Sequence, residues 1–200
     1  MARRGSDGEG APRAKGPFGT QVTPQQALLA AAEALCPPMT VTGSGAGHVE
    51  LRDHRDVLPD VTFRLRKERR LFSRTFALVV EASATGHGPN EDAAASLNRS
   101  PLRRRLELEP FDPMPASREW SETLQRSGLL EGVRTMTNVV ALQARWHTKE
   151  RTGRLRLTTL AGALIGTSPT TSVAVPLEPE DVEGLLRILA AVSAAVQPPA

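Results

Sequence analysis

The sequence predicts an α+β fold, a two-layer sandwich in which an antiparallel sheet of about five to seven strands carries three helices on one face. Three observations predict it. Val61, Phe63 and Leu65 alternate with Thr62, Arg64 and Arg66, the period of two of a half-buried strand. Val182, Leu185, Leu186, Leu189, Val192 and Val196 form an apolar stripe at helical spacing. Strand-like blocks also follow one another without a helix between each pair, which favours antiparallel pairing over repeated strand–helix–strand units.

The elements follow in order. Residues 1–20 mix Gly, Arg, Pro and acids without periodicity, and this composition predicts a disordered tail. A single domain is expected over 21–200. Thr23 is placed to cap a first helix, with Pro24 at its first position and Gln26 completing a capping box; Leu28, Leu29, Ala32 and Leu35 supply its apolar stripe and Pro37 its end. Met39 to Thr42 reads as a short strand, Gly43 to Gly47 as a turn, and His48 to Arg52 as the next strand. The strand beginning at Val61 is expected to turn at Lys67-Glu68-Arg69 and return from Leu71 to Ala82. Residues 84–116 hold most of the interior prolines and predict a long Pro/Gly-rich loop, with one edge strand where Leu106 and Leu108 alternate with Glu107 and Glu109.

Ser117 is expected to cap a second helix, ended by Gly128. Val139 to His147 and Arg154 to Ile165 predict a second hairpin, and Thr171 to Leu177 one more strand. Pro179 opens the last helix, with Glu180, Asp181 and Glu183 against its positive end. Lys67-Glu68-Arg69 recurs as Lys149-Glu150-Arg151, so that an internal duplication is one reading of the two halves.

Composition bounds the class. An apolar fraction of 40% with 24% charged residues is that of an ordinary globular chain. Five Phe, two Trp and no Tyr leave the core to Leu, Val and Ala. Of the 25 basic residues only Lys15, Lys67 and Lys149 are lysine, and the net charge is +3. That excess is too small to diagnose nucleic-acid binding. The single cysteine, Cys36, excludes an intramolecular disulfide and a Cys-rich zinc site; its place at the end of an apolar stretch predicts a small buried hydrophobe. Arg3-Arg4 is followed by no apolar segment, and Leu185 to Val196 is too short to span a bilayer, so the cytoplasm is the predicted location.

Motifs for catalysis and cofactors fail on their physical requirements. Gly43-x-Gly45-x-Gly47 is followed by His48-Val49-Glu50-Leu51, which alternates as a strand, so no helix N-terminus is available to hold a pyrophosphate. His48, Glu50, Asp53, His54, Asp56 and Asp60 are potential metal ligands, but the two histidines lie six apart across a strand end and read as an exposed polar edge. No Gly-x-Ser-x-Gly or Ser-x-x-Lys sequence occurs. The sequence therefore predicts no catalytic residue, no metal and no cofactor.

One pattern points to binding. With apolar side chains toward the helices, the opposite face of the two hairpins gathers Arg64, Arg66, Arg145, Arg154 and Arg156, within a patch roughly 10–15 Å across. Such a face either stands solvated or binds an acidic protein partner or polyanion. It lacks the aromatic platforms on which readers of single-stranded nucleic acid stack bases. The element order is similar in outline to secretion-chaperone-like folds, and that resemblance implies a non-enzymatic, chaperone- or adaptor-like protein-binding domain. A nucleic-acid or anion binder using the arginine face is the second reading, and an enzyme with an unrecognised site the third.

Overall fold

The computed structural model describes residues 22–69, 74–99, 106–166 and 172–198. The expected disordered tail, residues 1–20, lies outside them. The chain runs α1 (Pro24–Glu33), β1 (Met39–Gly45), β2 (His48–Asp53), β3 (Asp60–Arg69), β4 (Arg74–Thr85), β5 (Ala93–Arg99), β6 (Leu106–Pro110), α2 (Pro115–Arg126), α3 (Leu129–Thr135), β7 (Val139–His147), β8 (Thr152–Gly166), β9 (Ser172–Ala174) and α4 (Pro179–Ala195). It is α+β with one antiparallel sheet, and among the described residues both counts exceed the sequence expectation: nine strands instead of five to seven, four helices instead of three.

The sheet order is β1-β2-β3-β4-β8-β7-β5-β6, with β9 paired to the far end of β8. The first four strands form a meander that leaves one side of β4 open. The chain then crosses to build β5 and β6 as the far edge, and the β7–β8 hairpin fills the gap. β4 and β8 are thereby central. Ala77, Leu78, Val79 and Val80 are all buried, as befits a strand flanked on both sides. The remaining strands alternate, burying Val61 and Phe63 of β3, Leu142, Ala144 and Trp146 of β7, and Leu155 and Leu157 of β8 on one face.

That face carries the helices. α1 packs on β1, β2, β3 and β8, α2 on β5 and β6, and α4 on β4 and β8, while α3 lies between α4 and β6. Leu28 of α1, Trp120 and Leu124 of α2, Leu129 and Val133 of α3, and Leu185, Ile188 and Leu189 of α4 belong to one continuous core with the sheet. Trp120 and Trp146 meet in it, ring centroids 5.7 Å apart and tilted by 45°. Among the described residues no helix lies on the opposite face of the sheet.

Local chemistry explains most boundaries. Thr23 Oγ1 accepts from the Gln26 N–H at 3.2 Å while the Gln26 side chain accepts from the Thr23 N–H at 2.9 Å, the reciprocal box expected. Ser117, expected as a cap, is buried inside α2, and its hydroxyl accepts from the Ala94 N–H at 3.1 Å. Met114 holds the cap position with no side-chain bond, and Pro115 starts the helix. Gly128, at φ +86°, ends α2 as expected and also reverses the chain into α3, whose seven residues are too few to show a period in sequence.

Several expectations fail for identifiable reasons. The 84–116 segment contains β5 in addition to the expected edge strand, which is β6. β5 begins with three alanines, weak strand formers, and it forms because Ala93 and Ala95 fit under α2 and because β6 and β7 satisfy its backbone. Lys67, Glu68 and Arg69 continue β3 up to the Arg69–Arg74 pair, whereas Lys149, Glu150 and Arg151 form a turn, so the repeated triplet marks two different structures. β1 runs through Gly43 to Gly45, and the turn shrinks to Ala46-Gly47 with Gly47 at φ +85°. Cys36 is exposed, its thiol donating to the Ala32 carbonyl at 3.6 Å, because α1 ends before it and turns it outward.

Asp181 has a larger role than its place near a helix start suggests. Its carboxylate is only 1% exposed and accepts from both the N–H and the hydroxyl of Thr137, at 2.7 and 2.9 Å, tying α4 to the entry of β7. Asp181→Ala is expected to cost about 1–3 kcal/mol, since it removes a charged acceptor from two donors. Asp181→Asn keeps one oxygen and should lose clearly less. Urea unfolding of the two variants checks this, and equal, near-zero losses would contradict it.

Candidate functional site

The uncovered face of the sheet is concave over its centre, enclosing about 730 Å³ above β3, β4, β8 and β7. Strand pairing fixes its floor in rows. Thr62, Glu81, Arg156 and Gln143 lie side by side on four consecutive strands. The next row is Asp60, Ser83, Arg154 and Arg145, and beyond it Thr85, Thr152 and His147. Each of these residues alternates with a buried neighbour on the helix side, which is why the period-two pattern aims them together.

All five arginines expected at a site project to this face, but they do not form one patch. Arg145, Arg154 and Arg156 line the concavity. Arg145 stands directly opposite Arg154 in the β7–β8 register, and Arg156 is two residues further along the same strand. Arg64 stands outside the lining, joined to it through Glu81. Arg66 lies opposite Ala77, and the six residues of β4 from there to Ser83 put it roughly 20 Å along the strands from the Arg154 row. The expected span of 10–15 Å therefore holds for three or four of the arginines and fails for Arg66. β3 is one of the longer strands, and alternation along it keeps the face but not the distance.

Carboxylates that sequence reasoning left out of the patch sit among these cations. Glu81 lies between Arg64, 3.7 Å from its Nε, and Arg156, 3.8 Å from its Nε. Glu150, in the turn between β7 and β8, bonds to Nη2 of Arg154. These pairs are exposed, and pairs of that kind are individually weak, ~0–1 kcal/mol. Among the described residues the Arg145 side chain forms no ion pair or hydrogen bond. The charges borne by the strands of the lining are segregated: Asp60 and Glu81 lie on β3 and β4, the three arginines on β7 and β8, with Glu150 beside them in the β7–β8 turn. Glu81 was the legible signal, the one charge in the apolar run from Phe76 to Ala82. Its position between two arginines depends on β4 lying beside β8, and alternation along a strand does not encode that pairing.

The second polar cluster follows β2. Arg52 reaches Asp56 at 3.3 Å and Asp60 at 3.8 Å, His48 lies 3.7 Å from Glu50, and the His54 imidazole bonds the Thr40 hydroxyl. Asp53 turns inward, and its carboxylate accepts from the N–H groups of Arg55, Val57 and Leu58, each at 3.0 Å. Among the described residues no group of three or more His, Cys, Asp or Glu is placed to hold a metal ion. Gly43, Gly45 and Gly47 belong to the β1–β2 hairpin, and no helix follows them.

The Asp53 carboxyl is held below the ordinary carboxylate range, first by the Arg55 N–H, then by those of Leu58 and Val57, against the opposing effect of burial. A depressed folded-state value contributes stability that is present above the ordinary range and is lost as the pH falls through the folded value. Asp53→Asn is therefore expected to be less stable than the parent near neutrality and to approach it as the solution is acidified below the ordinary carboxylate range. Urea midpoints of both proteins across that window provide the check, and a gap that widens in acid would contradict the assignment.

Compared with known protein families, curated proteins and solved structures, the chain finds no match. Among the described residues no helix is long and apolar enough to cross a membrane.

Proposed function

We propose that this chain is a cytoplasmic adaptor- or chaperone-like module that binds an acidic segment of a partner protein on the uncovered face of its sheet. The observation that carries the reading is the convergence of Arg145, Arg154 and Arg156 on one side of a concavity that no helix among the described residues covers. Guanidiniums on neighbouring strands offer paired donors to carboxylates. The segregation of charge selects the kind of partner. A nucleic-acid backbone is uniformly negative and would meet Asp60 and Glu81 as it crossed the face, whereas a polypeptide can put acidic residues over β8 and β7 and neutral or basic ones over β3 and β4. The lining also contains no Phe, Tyr or Trp ring to stack a base. His147, the one imidazole in the lining, makes no hydrogen bond to Ser83, Thr85 or Thr152, so no activated hydroxyl favours an enzymatic reading.

The test is a calorimetric titration of the full chain with a short Ser/Gly peptide carrying two central glutamates. The same peptide with glutamines, one with lysines, and an oligothymidylate of equal length serve as comparisons. The glutamate peptide alone is expected to bind, and its affinity should fall as the ionic strength approaches ~0.15 M, where the Debye length is about 8 Å. Equal binding of the glutamine peptide, or preference for the oligothymidylate, would overturn the reading.

A further inference from the structure

Arg145 and Arg154 face each other across the β7–β8 ladder, and like charges directly opposite on a sheet destabilise the pairing. Arg154 is relieved by a carboxylate of the chain itself, that of Glu150, four residues earlier. Arg145 has no such relief among the described residues. Glu150 thus shows, inside the molecule, how a glutamate side chain sits on this site.

The turn that carries Glu150 is held in place. The Arg151 N–H donates to the Thr148 carbonyl at 3.2 Å, and the Gly86 N–H donates to the Arg151 carbonyl at 2.9 Å. The Thr148 N–H donates to Asp92 Oδ1 at 2.8 Å, and Arg151 adopts φ +49° to close the turn. The backbone is anchored to the 86–92 segment, while the Glu150 side chain keeps 54% of its surface exposed. Removing its carboxylate from Arg154 takes a change of side-chain rotamer, not a movement of the turn.

We infer that Arg145 and Arg154 form a clamp for one glutamate side-chain carboxylate of the partner, and that Glu150 is a built-in competitor which must leave Arg154 for that carboxylate to bridge both guanidiniums. The inference rests on the proposed binding face and adds the ligand group and its competitor. Bridging gains over the internal pair because it neutralises Arg145 as well, and two guanidiniums around one carboxylate present more donors than Arg154 alone. Glu150 sets a threshold: a partner whose acidic residue misses Arg145 gains nothing over the internal glutamate and is rejected.

The experiment titrates the glutamate peptide against the parent chain and its Glu150→Gln, Arg145→Gln and Arg187→Gln variants, with the tryptophan emission spectrum reporting that each is folded. Glu150→Gln is expected to tighten binding about two- to fivefold, the worth of one exposed ion pair removed from competition. Arg145→Gln should weaken it about tenfold or more, through loss of charge-assisted bonds. Arg187, on the helical side and paired with Glu183, should leave the affinity unchanged. Unchanged or weaker binding by Glu150→Gln, with the parent still binding in an Arg145-dependent way, would overturn the competitor while leaving the binding face standing. Absence of binding by both the parent and Glu150→Gln would overturn the face itself. Binding by Glu150→Gln alone would support both.

Discussion

Leu189→Ala is expected to lower the free energy of unfolding by about 2–5 kcal/mol, through lost transfer energy and the cavity left behind. Leu189 is completely buried near the middle of α4, and so are Leu185 and Ile188 beside it. The helix lies across the two central strands, β4 and β8, and packs on α2 and α3, so little around the site can collapse to fill a void. Gly132 and Gly184 tighten this region further: a Cβ on either would come within 2.7 Å of the other's carbonyl oxygen. α3 and α4 therefore touch backbone to backbone and cannot move closer. The chain supplies its own probe, because both tryptophans are buried at 1% and 2% exposure and there is no tyrosine. Urea unfolding followed by tryptophan emission gives the loss directly. A change below ~1 kcal/mol would mean that α4 does not close the core.

The largest functional effect is expected from the double charge reversal Arg145→Glu with Arg156→Glu. It should abolish binding of the glutamate peptide, because both sides of the basic half of the concavity then repel a carboxylate. The fold should persist. Both residues are exposed, and exposed substitutions usually change stability by about 0.5 kcal/mol or less. The reversal at 156 does bring a carboxylate toward Glu81, but at the 145 position it creates an opposite-charge pair with Arg154 across the ladder, and the two changes offset one another. A titration unchanged by the double reversal, in a chain that unfolds at the parental urea concentration, would remove the arginines from the account.

What the sequence made legible follows from which interactions are local. α1 and α4 were readable because capping, proline placement and helical spacing are written in consecutive residues, and β3, β7 and β8 because alternation survives burial on one face. β5 was hidden, since Ala93 and Ala95 carry no strand preference and owe their conformation to the neighbours that pair with them. α3 was hidden in its seven residues, and Ser117 looked like a cap because its long-range partner, the Ala94 N–H, lies 23 residues away. The site divides in the same way. That Arg145, Arg154 and Arg156 share a face was legible from alternation. That Glu81 stands between Arg64 and Arg156, and that Arg66 is left outside, depends on β4 and β8 becoming neighbours across the chain's longest detour.

Binding on the open sheet is measured residue by residue in the backbone amide spectrum of the isotope-labelled chain, recorded while the glutamate peptide is added. Saturable shifts are predicted at Gln143, Arg145, Arg154 and Arg156, extending to Ser83 and Thr152 across the floor of the concavity, with Leu185 to Val192 of α4 unmoved. Shifts centred on the helical side, or spread evenly over every exposed arginine including Arg126 and Arg187, would contradict a binding face on the open sheet.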